Sequence, residues 1–236
     1  MSIADKLTTV YENQQKVFDA GKEAGKEAEW KSFWGDLLIN GTRTNYNYAF
    51  YLPHWVGVLR NHPPAYDMKP TSASYMFNGW NSSSKTFDLV AVLKESGVTL
   101  DFSNCTNFAR IFESNTTNSH VGVMDIRKGT NFTSAFAWAG IETIDKVIVD
   151  ENVNFSAMFA SYSALNNIVF EGVIGKALDM SACKNLTNAS AQSVIEHLKD
   201  LTGATSLTIK FHANVTSALT AEQRAEITSR NWTLAE

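Results

Sequence analysis

Apolar and polar positions alternate in a nine-residue phrase that this chain writes five times. LDFSNCTNF at 100–108 has apolar residues at its first and third positions, a polar step, and then an Asn before an apolar anchor. MDIRKGTNF (124–132), VIVDENVNF (147–155), LDMSACKNL (178–186) and LTIKFHANV (207–215) follow it closely. Alternation of period two predicts a strand in each copy. Its inward pairs are Leu100/Phe102, Met124/Ile126, Val147/Val149, Leu178/Met180 and Leu207/Ile209. From anchor to anchor the steps are 24, 23, 31 and 29 residues. Periods in the twenties with one strand per repeat predict an α+β leucine-rich-repeat solenoid of about five to six rungs.

The recurring asparagines, Asn107, Asn131, Asn154, Asn185 and Asn214, are expected to stack inside the turn and bond the backbone of neighbouring rungs. On that reading, removing Asn131 or Asn154 costs about 1–3 kcal/mol. A second apolar anchor lies four residues on, at Phe112, Phe136, Phe159 and Leu219, with Ser190 the exception. Spacing of four predicts a short helical turn with both rings pointing inward. Residues 165–175 read as an insert that adds a strand-like apolar run. Residues 190–203 read as an amphipathic helix, with Val194, Ile195, Leu198 and Leu201 on one side and Gly203 as its stop. A degenerate earlier rung is expected over 65–77, with 87–97 as its returning helix.

The solenoid is expected to span 65–219. An aromatic-rich N-terminal cap covers 27–64 and a C-terminal cap 220–236, where Thr220 and Gln223 form a capping-box pair. Residues 1–26 predict a helix whose seam of Ile3, Leu7, Val10 and Val17 is too short for a certain coiled coil. It either joins copies of this chain as a homo-oligomer or attaches to a different partner.

TNFTSAF, followed by IETIDKVIVDENVNFSAMFASYSALNNIVFEG, is similar to the BspA-like leucine-rich repeats of bacterial proteins. The opening MSIADKLTTVYENQQKVFDAGKEAGKEAEWKSFW, with NGTRTNYNYAF and the closing NWTLAE, resembles prophage-encoded repeat proteins of gut bacteria. The resemblance implies a recognition role towards a protein or a cell-surface glycan. The opening residues have no apolar run of signal-peptide type. The chain is therefore expected to be made in the cytoplasm and to become virion-associated on release.

Composition narrows the partners. A net charge of −4 and a pI near 5.8 argue against nucleic acid as a partner, since it needs a basic stripe. No run approaches a membrane span, so no membrane insertion is expected. The cysteines, Cys105 and Cys183, hold the same position in their copies. Three rungs, about 14 Å at strand spacing, would separate them, which is too far for a disulfide.

No nucleophile elbow, metal-ligand spacing or phosphate loop occurs, so no catalytic residue, metal or cofactor is assigned and the chain reads as a non-enzyme. The five histidines lie far from one another in sequence. The outward strand face, with Asp101, Ser103, Asp125, Arg127, Asp150, Asp179, Ser181 and Lys210, is one candidate binding surface. Tyr46, Tyr48, Tyr51, Trp55 and Trp80 are a candidate platform for stacking sugar rings. A purely structural appendage subunit is the alternative to both.

Overall fold

The structure, a computed structural model, describes residues 44–47, 49–50, 67–79, 88–155, 157–159, 161 and 164–235. In chain order the elements are α1 (Leu89–Ser96), β1 (His120–Asp125), β2 (Thr143–Val149), β3 (Asn167–Gly172) and β4 (Leu178–Met180). There follow α2 (Asn188–Glu196), β5 (Leu207–Phe211), α3 (Ala213–Ala218), α4 (Ala221–Ser229) and β6 (Trp232–Ala235).

The expected leucine-rich-repeat solenoid is not what these elements build. The strands form two separate three-stranded parallel sheets, in the orders β1-β2-β3 and β4-β5-β6. The cause lies in α2. The hydroxyls of Ser190 and Ser193 accept hydrogen bonds from the backbone N–H of Ile168 and Phe170, each at 2.9 Å. A helix thus occupies the edge of β3 where another strand would otherwise add. The strand-like run expected within 165–175 is β3, which is a full member of the first sheet. In the second sheet Leu178 faces Ile209 and Met180 faces Phe211, so β5 sits two residues away from the register that the phrase alignment predicts.

Before β3 the chain returns from each copy by turns, and the helical turn expected from the four-residue spacing does not form. Phe108 O accepts from Ile111 N, Arg110 O from Glu113 N, and Phe112 O from Asn115 N, a run of overlapping four-residue turns. The third residue of every second turn is left-handed: Arg110, Ser114, Ser134, Trp138, Ala157 and Ser161 all have φ between 54° and 67°. That is the geometry of a type II turn, here without glycine. Backbone bonds join one copy's turn to the next, with Phe77 N donating to Ile111 O, Phe112 N to Ala135 O and Phe136 N to Met158 O.

Because the copies stack at about strand spacing, one ring per copy falls directly on the next. Phe50, Phe77, Phe112, Phe136 and Phe159 form a buried column with centroids 5.3–5.6 Å apart and near-parallel planes. Phe108 and Phe132 stack beside it at 5.2 Å. Offset stacking at this distance adds about 0.5–1.5 kcal/mol per pair beyond burial.

The degenerate copy pairs through a bridge between Met68 and Leu100, and α1 follows it as expected. Asp88 caps the start of α1 by accepting from Ala91 N, and Gly97, at φ 69°, ends it. After β3 the returns are helical. The capping box at Thr220 and Gln223 is formed. Helix α2 stops at Glu196, short of the expected Gly203, because Leu198 leaves it to bridge Ile174. Both cysteines are free and buried, and burial pushes the Cys105 thiol up to about 12.

Candidate interaction face

The outward face of the first sheet is shaped by an irregularity in its strands. Inward residues are three apart in β1 (Val121, Met124) and β2 (Ile144, Val147), but two apart in β3 (Ile168, Phe170). The register shift between Ile144 and Val147 places both Asp145 and Lys146 opposite the single Val169. A bulge of this kind re-aims side chains. Here it leaves Val123 53% and Val169 49% exposed, with Lys146 between them in the sheet. Val173 continues the apolar surface just past β3.

The charges around these valines are paired with one another. Lys146 Nζ lies 2.6 Å from Glu171 Oε2, and Arg127 donates to both oxygens of Asp125 at 3.0 and 2.6 Å. Hydrogen bonding to Arg127 holds the Asp125 carboxyl below the usual range.

His120 opens β1 with a carboxylate on each side. Its Nδ1 lies 3.2 Å from Asp88 Oδ2 and its Nε2 lies 2.7 Å from Asp145 Oδ1. Burial pushes its pKa down, but the hydrogen bonds to Asp145 and Asp88, with their negative charge, outweigh that and hold it above the ordinary histidine value. Asn118, fully buried beside it, accepts from both Leu89 N and His120 N through Oδ1, while its Nδ2 has no partner.

Several expected site residues have other duties. Asp101, Asp125, Asp150 and Asp179 each accept the backbone N–H two residues on, from Ser103, Arg127, Asn152 and Ser181. They shape the turns that end the strands. Nor do they share one face, since Asp179, Ser181 and Lys210 belong to the second sheet. The asparagines do not form an interior amide ladder. Asn107 is half-buried, and Asn131, Asn154, Asn185 and Asn214 are exposed. Asn107 Oδ1 accepts from Ala109 N and Asn131 Oδ1 from Thr133 N, within their own turns, whereas the ladder between copies is made of backbone.

Tyr46 is 3% exposed and belongs to the core. Tyr48, Tyr51, Trp55 and Trp80 lie outside the described residues, as do Ile3, Leu7, Val10 and Val17.

Sequence reasoning missed the valine face, His120 and Trp138. The partners of His120 are 32 and 25 residues away, so no local spacing marks them. Trp138 is 58% exposed and stands at the left-handed turn position that Gly79, Ser114 and Ser161 fill in other copies. Aligning the turns would have exposed that departure. Among the described residues no group of His, Cys, Asp or Glu is placed to hold a metal ion, and no helix is long and apolar enough to cross a membrane.

No protein-family model matches the chain, and no curated protein and no solved structure shows significant similarity to it.

Proposed function

We propose that this chain is a non-enzymatic recognition or assembly protein that presents the outward face of its first sheet to another protein. One observation carries the reading: Val123 and Val169 stand exposed in a field whose charges, Lys146 with Glu171 and Arg127 with Asp125, already neutralise one another. Covering such a face leaves these charges paired and buries aliphatic surface. A role in phage particles rests on the resemblance of the opening and closing segments alone.

Photo-crosslinking tests the reading. A photoreactive residue replaces Val123 in the full chain, and the same residue at exposed Thr208 of the second sheet is the control. In the producing cells, the expected result is a discrete protein adduct from position 123 that is absent at 208 and is lost with Val169→Asp. Equal labelling at both positions, or none at 123, overturns it.

A further inference from the structure

Helix α1 lies along the edge of β1 that no strand covers among the described residues. Gly122 makes the approach close: a Cβ there would stand 3.3 Å from Val90 Cγ2. The neighbouring copies meet at Asn107 and Asn131, but the described pairing of Leu100 is with Met68. Between α1, residues 98–102 and β1 is a cleft of about 140 Å³, lined by Leu89, Leu93, Leu100, Phe102, Val121 and Val123 among others. Among the described residues, the polar contacts that hold the start of α1 over this cleft are Leu89 N on Asn118 Oδ1 and Asp88 on His120.

The hydrogen-bonding inventory dictates the charge state. An ionised carboxylate only accepts, so a ring with a carboxylate on each nitrogen satisfies both only when both nitrogens carry protons. A neutral His120 must turn a lone pair on Asp88 or on Asp145. Asp88 matters doubly, because its other oxygen caps α1 through Ala91 N. Among the described residues no cation competes for these carboxylates by ion pairing. Lys146, next to Asp145, is paired with Glu171 of β3; Lys94 and Glu95 sit at the far end of α1; Asp125, at the other end of β1, is paired with Arg127.

We propose that Asp88, His120 and Asp145 form a proton-operated latch: protonated His120 ties the start of α1 to β1 and β2, and loss of its proton loosens α1 from the sheet edge and opens the apolar cleft beneath. The direction follows from linkage. With the folded value above the unfolded one, the tie is complete below about pH 6.5 and is lost as pH rises through the folded value. All three side chains are partly exposed, so the effect is modest and local.

Amide hydrogen exchange on the full chain at pH 6 and pH 8.5, corrected for intrinsic rates, tests the latch. Protection at Val92 and Leu93 is expected to fall by about two- to fivefold more than at Ile209 in β5, the scale of a partly exposed ion pair. In His120→Gln that extra fall should vanish. A pH-independent α1 in the natural chain, or the same fall in the variant, overturns the proposal. Should the variant not fold, an NMR titration of His120 in the natural chain decides. A midpoint above about 6.5 that moves the α1 amides supports the latch. A midpoint at or below that value, or unmoved α1 amides, refutes it.

Discussion

Residues 44–161 and residues 164–235 repeat one phrase but return the chain from it in two ways. In the first region the return is a ribbon of turns, held by backbone bonds from copy to copy and by a column of phenylalanine rings. In the second it is a helix, held by caps and by aliphatic residues such as Val194, Ile195 and Ile227. The change falls where the second anchor becomes Ser190. A ring there would extend the column; a buried hydroxyl instead accepts from Ile168 N and donates to Asn166 O. One polar substitution in a repeating pattern therefore marks the end of a sheet.

The comparison breaks most severely in the ring column. Phe136→Ala removes a buried ring stacked on both sides and should cost about 3–5 kcal/mol in urea unfolding. Pairing it with Phe112→Ala should give a non-additive cycle. An additive pair would mean that the rings are held separately, as the aliphatic residues of the helices are.

At the end of β3, Gly172 has a φ of 103°, and a Cβ on it would collide with the Val149 carbonyl. Gly172→Ala should destabilise by about 1–3 kcal/mol in the same assay.

A smaller test reverses sign between the regions. Ala225, exposed inside α4, should lose about 1 kcal/mol on replacement by Gly. Ala157, exposed and left-handed at φ 58°, should lose nothing on the same replacement and gain up to about 1 kcal/mol. Thermal melts of the two variants check this, and a loss at both positions would refute the turn geometry. Least affected should be Asn131→Ala, within about 0.5 kcal/mol, because its exposed amide serves only its own turn.

Much of the repeat was legible in the sequence, because period two is written in the inward pairs: Met124, Ile126, Val147, Val149, Leu178 and Met180 are all buried. Helix α1 and the capping box of α4 were legible too, since caps are local chemistry. What failed were inferences from spacing to conformation. Anchors four apart suit a helical turn, yet overlapping turns, every second one with a left-handed third residue, cover the same stretch while letting the backbone bond to the next copy. The asparagines looked like an interior ladder because they recur, but recurrence does not distinguish a turn-former from a core residue. The face and the latch were illegible because parallel pairing brings together residues one repeat apart, and no pattern in a single chain says which polar groups will meet.

The hydroxyls of Ser190 and Ser193 also govern how such a chain can lengthen. Each turn-returned copy offers the same backbone ladder above and below, so a duplicated copy inserted among them would find a matching neighbour on both sides. Past Ile168 and Phe170 that donor edge is already taken. Gene duplication could extend this protein upstream of β3, one ring at a time, while the end remained where two serines put it.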